Sequence, residues 1–196
     1  MNIVQRVPAI LLKPREEWVR IKSEPSTPAR LFTSYAMILA AVPPGFQFLG
    51  RILFERLPVI GHWPLGIALR NALVTYVLSL ATVYLFALII NALAPSFGST
   101  QNMTNAMKLA VYSMTPGWMA GVLAIVPGLW VPGVLVSLYG LYIIYLILYL
   151  GLDTPMMETP KEKVGGYLGV SVLVAIGLVV VNWFLKVIFA VRYGRL

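Results

Sequence analysis

Acid–base chemistry has few residues to work with in this chain. The acids are Glu16, Glu17, Glu24, Glu55, Asp153, Glu158 and Glu162; His62 is the sole histidine, and there is no cysteine. A hydrolytic triad or a metal site needs imidazole, thiolate or carboxylate groups converging on one point. Here the acids fall in stretches that read as tails or loops, and His62 stands beside Trp63 on a short loop with no evident carboxylate partner. No catalytic residue, cofactor or metal is expected, and the chain reads as non-enzymatic. Ion-coupled transport also relies on ionisable groups inside the membrane. Their absence from the apolar stretches counts against that chemistry as well.

What remains is hydrogen bonding and close packing. Tyr139, Tyr142, Tyr145 and Tyr149 are spaced by three, three and four, which lines the phenols along one side of a helix. Thr75, Ser79 and Thr82 make a comparable hydroxyl stripe. A buried phenol needs a partner, so the stripes fit an interhelical packing seam, or else a polar-lined cavity; the seam is the preferred reading. Gly117 and Gly121 are four apart, a spacing that lets another backbone approach closely. Packing inside the monomer is favoured over dimerisation, and a homo-oligomer stays open. Pro116, between Thr115 and Gly117, removes a helical hydrogen bond and should bend its helix. The freed carbonyl near Tyr112 could be met by Ser113 or Thr115, in a plain kink or in a broken helix of the kind that lines transporter sites.

These residues must be positioned by membrane-spanning helices. From Leu109 to Leu152 the chain runs 44 residues without a charge, whereas a crossing takes about 20 apolar residues. That run is long enough for two helices, Leu109–Val126 and Gly133–Gly151, with Pro127-Gly128 and Pro132-Gly133 between them. Leu31–Gly50, Ala72–Ala94 and Val164–Leu185 supply three more. Pro95–Ser99 reads as a turn, and Leu57–Pro64 as apolar but too short to cross. Apolar residues make up 59% and charged residues 11%, far from the globular averages of about 45–50% and about 25%. The fold class expected is therefore all-α: a polytopic, five-transmembrane-helix bundle.

Ahead of the bundle, Pro14–Ser23 reads as an interfacial helix, with Pro14 at its first position. Pro14, Trp18 and Ile21 are its expected anchor residues, Trp18 at headgroup level and Arg15, Arg20 and Lys22 toward anionic lipid. No cleavable signal peptide is expected. With a cytoplasmic N-terminus, the inside would hold Arg6, Lys13, Arg15, Arg20, Lys22, Arg30, Lys108, Lys161 and Lys163. The outside would hold Arg51, Arg56, Arg70, Lys186, Arg192 and Arg195. Nine against six leans toward that orientation. The net charge of +8 then reads as attraction to anionic lipid at the cytoplasmic face rather than to nucleic acid.

The order of landmarks resembles a known family. Pro14-x-x-x-Trp18-x-x-Ile21 precedes the first span, and Tyr112-Ser-Met-Thr-Pro-Gly-Trp-Met-Ala-Gly121 opens the central hairpin. Leu138-Tyr139-Gly140-Leu141-Tyr142 follows, then Gly151-Leu-Asp-Thr-Pro-Met-Met-Glu-Thr-Pro-Lys-Glu-Lys163. Together they are similar to the bacterial branch of the Yip-domain family, relatives of eukaryotic Ypt/Rab-interacting polytopic membrane proteins. The resemblance implies a five-span membrane protein with a cytoplasmic N-terminus. Eukaryotic members act in vesicle traffic through small GTPases; this chain lacks their Asp-Leu-Tyr-Gly-Pro element, so Rab binding is not carried over.

The expectations are then a cytoplasmic segment over 1–30, a five-span membrane domain over 31–189 and a basic tail over 190–196. The protein is expected in a bacterial inner membrane, as a scaffold or an accessory subunit contacting other membrane proteins. A transporter or channel for a small or lipid-like substrate is the alternative. Pro116, Gly117, Trp118 and Gly121 are expected to form the packing seam, faced by Tyr139, Gly140 and Tyr142. Asp153, Pro155, Lys161 and Lys163 are expected as loop contacts for a partner.

Overall fold

A computed structural model describes residues 2–54, 64–126, 148–150, 152 and 157–193, with side chains to Phe189. Among these residues the secondary structure is helical, with no strand. Two short helices, α1 (Ile3–Leu12) and α2 (Pro14–Ser23), form a hairpin at the N-terminus. The Asn2 side chain accepts from the Val4 amide to start α1, and Pro8 is carried inside it. In α2 Pro14 occupies the first turn, Glu16 and Glu17 follow, and Arg20 and Lys22 stand in the last turn. That charge order complements the helix dipole.

Three helices are long and apolar enough to cross a membrane: α3 (Pro28–Leu53), Leu65–Phe97 and Lys161–Phe189. In α3 a π-helical stretch, Phe32–Ala36, is followed by a turn at Ala40–Ala41. The helix restarts at Val42, so Pro43 and Pro44 fall in a first turn where a missing N–H does little harm. The second long helix, α4 (Leu65–Leu93), tightens into a 3-10 turn, Ala94–Phe97. Gly98 ends that turn at φ 68°, a left-handed conformation that favours glycine. Next comes α5 (Met103–Ala120), capped by the Asn102 side chain and prolonged by a 3-10 turn, Gly121–Ile125. The last helix, α6, is Lys161–Tyr193.

The hydrophobic core centres on α5, whose buried side runs from Ala106 to Trp118 and includes Lys108, Tyr112, Ser113 and Thr115. Side chains of α1, α2, α3, α4 and α6 complete it. Because neighbours enclose α5, it can carry polar groups that a lipid-facing helix could not. For the same reason it is less apolar than the three long helices and is not among the spans recognised by hydropathy. The expected third span, Leu109–Val126, is thus a helix that begins earlier, at Met103. Lys108, expected in the preceding loop, lies within it and is buried. The expected fourth span, Gly133–Gly151, lies outside the described residues apart from Leu148–Leu150, so three spans rather than five are seen.

Interhelical hydrogen bonds join the bundle at several depths. The Trp118 indole donates to Ser79 Oγ at 3.2 Å, tying α5 to α4. The hydroxyls of Tyr35 and Thr115 are 3.0 Å apart between α3 and α5. Asn182 Nδ2 donates to Thr82 Oγ1 at 2.9 Å, and the Tyr167 hydroxyl donates to the Ile90 carbonyl, both between α6 and α4. Near its start α6 also stacks Tyr167 on Phe97, with centroids 4.8 Å apart.

Candidate functional site

The N-terminal end of the bundle is where charge and structure converge. Arg6 on α1 is 3% exposed and pairs with Glu17 of α2, itself 2% exposed, and with Glu24 just beyond α2. Arg20 reaches the other oxygen of Glu17 at 3.6 Å. An isolated charge so far from water would be strongly unfavourable; pairing makes burial possible. Lys108 Nζ donates to the carbonyls of Ile21 at 2.7 Å and Glu24 at 2.8 Å. A lysine from α5 thereby satisfies the carbonyls left open at the end of α2 and meets the negative end of its dipole.

Aromatic rings back this cluster. Arg6 lies over the Tyr112 ring, 5.6 Å from its centroid. The ring also meets Trp18 edge-on at 6.2 Å and Tyr35 at 5.0 Å. The Glu24 carboxyl is held below the usual carboxylate range: partial burial works the other way, but the surrounding positive charge, including Arg6, outweighs it. A cleft of about 290 Å³ opens here between the N-terminal hairpin, α3 and α5.

Sequence reasoning placed α2 correctly but not its face. Trp18, expected at headgroup level, is 2% exposed, and Ile21 is 1% exposed; both pack into the core. Pro14 keeps its place in the first turn. The outward apolar residues are instead Val4, Leu12 and Val19. The cause is α1, which covers α2 and turns its aromatic side inward. The sequence signal for α1 was present: Arg6, Val7 and Ile10 recur at helical spacing, but Pro8 disguised it.

The expected glycine seam is half right. A Cβ on Gly121 would lie 2.6 Å from Pro43 Cβ, so this glycine does permit a close approach, to α3. A Cβ on Gly117 would meet nothing within 4 Å among the described residues, and that residue is exposed. The second close-packing glycine is Gly50, where a Cβ would collide with the Ile125 carbonyl. Pro116 and Trp118 are buried. The helix passes through Pro116 unbroken and changes to 3-10 geometry only at Gly121. Thr115 Oγ1 bonds the Val111 carbonyl at 3.4 Å and Ser113 Oγ the Ala110 carbonyl at 3.0 Å, rather than that of Tyr112.

Tyr139, Gly140 and Tyr142 lie outside the described residues, as do Asp153 and Pro155. Lys161 and Lys163 are exposed on the first turn of α6 rather than on a loop. That turn adjoins the α4–α5 connection. Ser99 Oγ and Thr159 Oγ1 are 2.7 Å apart, the Thr100 amide donates to the Met157 carbonyl at 3.0 Å, and Thr100 Oγ1 donates to Glu158 at 2.6 Å.

Long apolar helices held together by hydrogen-bonded polar side chains, with a charged cap at one end, define a helical integral membrane protein. The family model for the Yip1 domain matches residues 9–184. The chain belongs to the Yip1 domain family. No curated protein and no solved structure matches it.

Proposed function

We propose that this Yip1-domain protein is a non-enzymatic membrane scaffold or an accessory subunit of a larger membrane complex. The observation that carries the proposal is how polar side chains are used inside the bundle. Trp118, Thr115, Asn182 and Tyr167 each reach a partner on another helix, which suits a fixed framework. Most of the described charged groups gather at one end, where Lys161 and Lys163 are exposed beside the α4–α5 connection and could meet a partner protein. Val4, Leu12 and Val19, at 75%, 78% and 65% exposure, are suited to contact with a lipid surface, with the exposed Lys13, Arg15, Arg20 and Lys22 facing anionic headgroups.

Five crossings belong to the same reading. Ile125 sits beside Gly50, at the end where α3 finishes, whereas Met157 pairs with Thr100, where α4 finishes. A return from one end to the other between those two points would be the fourth crossing and α6 the fifth. The N-terminus then lies on the opposite side from the C-terminus, and the positive-inside lean puts it in the cytoplasm of a bacterial cell.

A transporter or channel is favoured by one observation: Asn91 Oδ1, Ser171 Oγ and Asn182 Oδ1 are buried without a hydrogen-bond partner among the described residues, as polar groups along a pathway would be. Photo-cross-linking residues at Lys161 and Glu162, with Leu173 as a lipid-facing control, test the proposal in native membranes. Discrete protein adducts from the first two and none from Leu173 are expected. Purified protein in vesicles should leave the flux of small solutes at the level of empty vesicles. Reproducible flux without discrete adducts would favour the transporter.

A further inference from the structure

The N-terminal cleft has an unbalanced charge and polar groups without a partner among the described residues. Arg6, Arg30 and Lys108 line it, and Glu24 is the acid on its wall. Counting Glu17 behind Arg6, and Arg20 which reaches it, four cations stand against two carboxylates among the described residues. The compensation is also uneven. Arg6 is paired with both acids, whereas Lys108, only 4% exposed, meets two neutral carbonyls. Its ammonium has three donors, two of them used. Arg30 is exposed on the rim with no ion pair among the described residues, leaving a five-donor guanidinium fork open. Ser26, on the same wall, has a buried hydroxyl oxygen without a hydrogen-bond partner among the described residues. Desolvated cations and an orphan hydroxyl together call for an anionic, multi-acceptor ligand.

Depth identifies the kind of anion. Arg30 is the last charged residue before the uncharged stretch Leu31–Gly50, so the cleft lies where α3 enters the hydrocarbon, at headgroup level. The π-helical stretch of α3 begins directly after it and carries Tyr35 into the cleft wall. π-Helical insertions are common at functional sites. We propose that this cleft binds a single phosphate group, supplied in the membrane by the headgroup of an anionic phospholipid, with Arg30 and Lys108 as its cationic contacts and Ser26 as a hydroxyl donor. The proposal stands whether the protein acts as a scaffold or as a transporter.

The full chain is tested in nanodiscs of phosphatidylcholine with and without phosphatidylglycerol, and in detergent with inorganic phosphate against chloride at equal ionic strength. Native mass spectrometry counts retained lipid, and melting temperature reports both ligands. One retained phosphatidylglycerol and a higher melting temperature are expected. Arg30→Gln should weaken binding about tenfold, the loss of one charge-assisted contact, and Ser26→Ala should weaken it less. Lys22→Gln, an exposed charge outside the cleft, should leave it unchanged. Because Arg30 and Lys22 are both exposed, neither change threatens folding. A response to phosphatidylglycerol alone assigns the site to a lipid headgroup, and one to inorganic phosphate assigns it to a phosphate ion; either upholds the phosphate chemistry. Equal losses from Arg30→Gln and Lys22→Gln would reduce the effect to general surface attraction and overturn the proposal. So would indifference to both ligands.

Discussion

Arg6 shows how strongly one side chain can commit the N-terminus to its place. Its guanidinium is enclosed with Glu17 and lies over Tyr112, so truncating either member leaves the other buried with only one remaining partner, Arg20 for Glu17 or Glu24 for Arg6. Arg6→Met should destabilise the hairpin by about 3–5 kcal/mol, and Arg6→Met combined with Glu17→Met should recover most of it. Hydrogen exchange of α1 and α2 reads this directly; a double variant as labile as the single one would contradict the pairing account. Glu24 adds a pH dependence. Its folded pKa is lowered, so its contribution is fully present above the ordinary carboxylate value of 4.5 and disappears as pH falls through the lower folded value. Protection of α1 should fall on acidification through that range, and less so in Glu24→Gln.

At the scale of elements, the contact between α3 and the end of α5 depends on two glycines drawn from different helices. Gly121→Leu must push a side chain into Pro43, and Gly50→Ala must displace the Ile125 carbonyl. Each should cost about 1–3 kcal/mol by overpacking, seen as a lower melting temperature in detergent. Gly117→Leu meets no described residue and should be neutral or slightly stabilising, because leucine is a better helix former than glycine. If Gly117→Leu proved the most damaging, that face would be covered by a neighbour. The spacing Gly117-x-x-x-Gly121 was visible in the sequence, but the partner of Gly121 was not. Small residues announce that a close approach is possible, not which surface makes it.

For the whole molecule, three segments come together at one end. Lys108 holds the hairpin to α5, and Ser99 and Thr100 hold the α4–α5 connection to residues 157–159. These segments share one side of the membrane whichever way the bundle is inserted. Since the chain has no cysteine, single cysteines report orientation cleanly. With a cytoplasmic N-terminus, Gln101→Cys should resist an impermeant maleimide in intact cells and Leu65→Cys should react. The opposite labelling would invert the protein.

Hydropathy and length by themselves determined that this is a helical membrane protein and located α3, α4 and α6, because each must satisfy its own backbone in lipid and so carries a long apolar signature. The sequence also located α2, through Pro14 at its first position and the apolar residues Trp18 and Ile21. The burial of Trp18, Glu17 and Lys108 was decided only by the tertiary structure. A charged residue reads as exposed until a partner from a distant part of the chain is brought beside it, and Lys108 meets Ile21 and Glu24 across more than eighty residues. The cleft at the N-terminal end was hidden for the same reason. Its walls come from the hairpin, α3 and α5, and the affinity of such a site for an anion arises from desolvating charges that, along the sequence alone, are indistinguishable from a solvated basic tail.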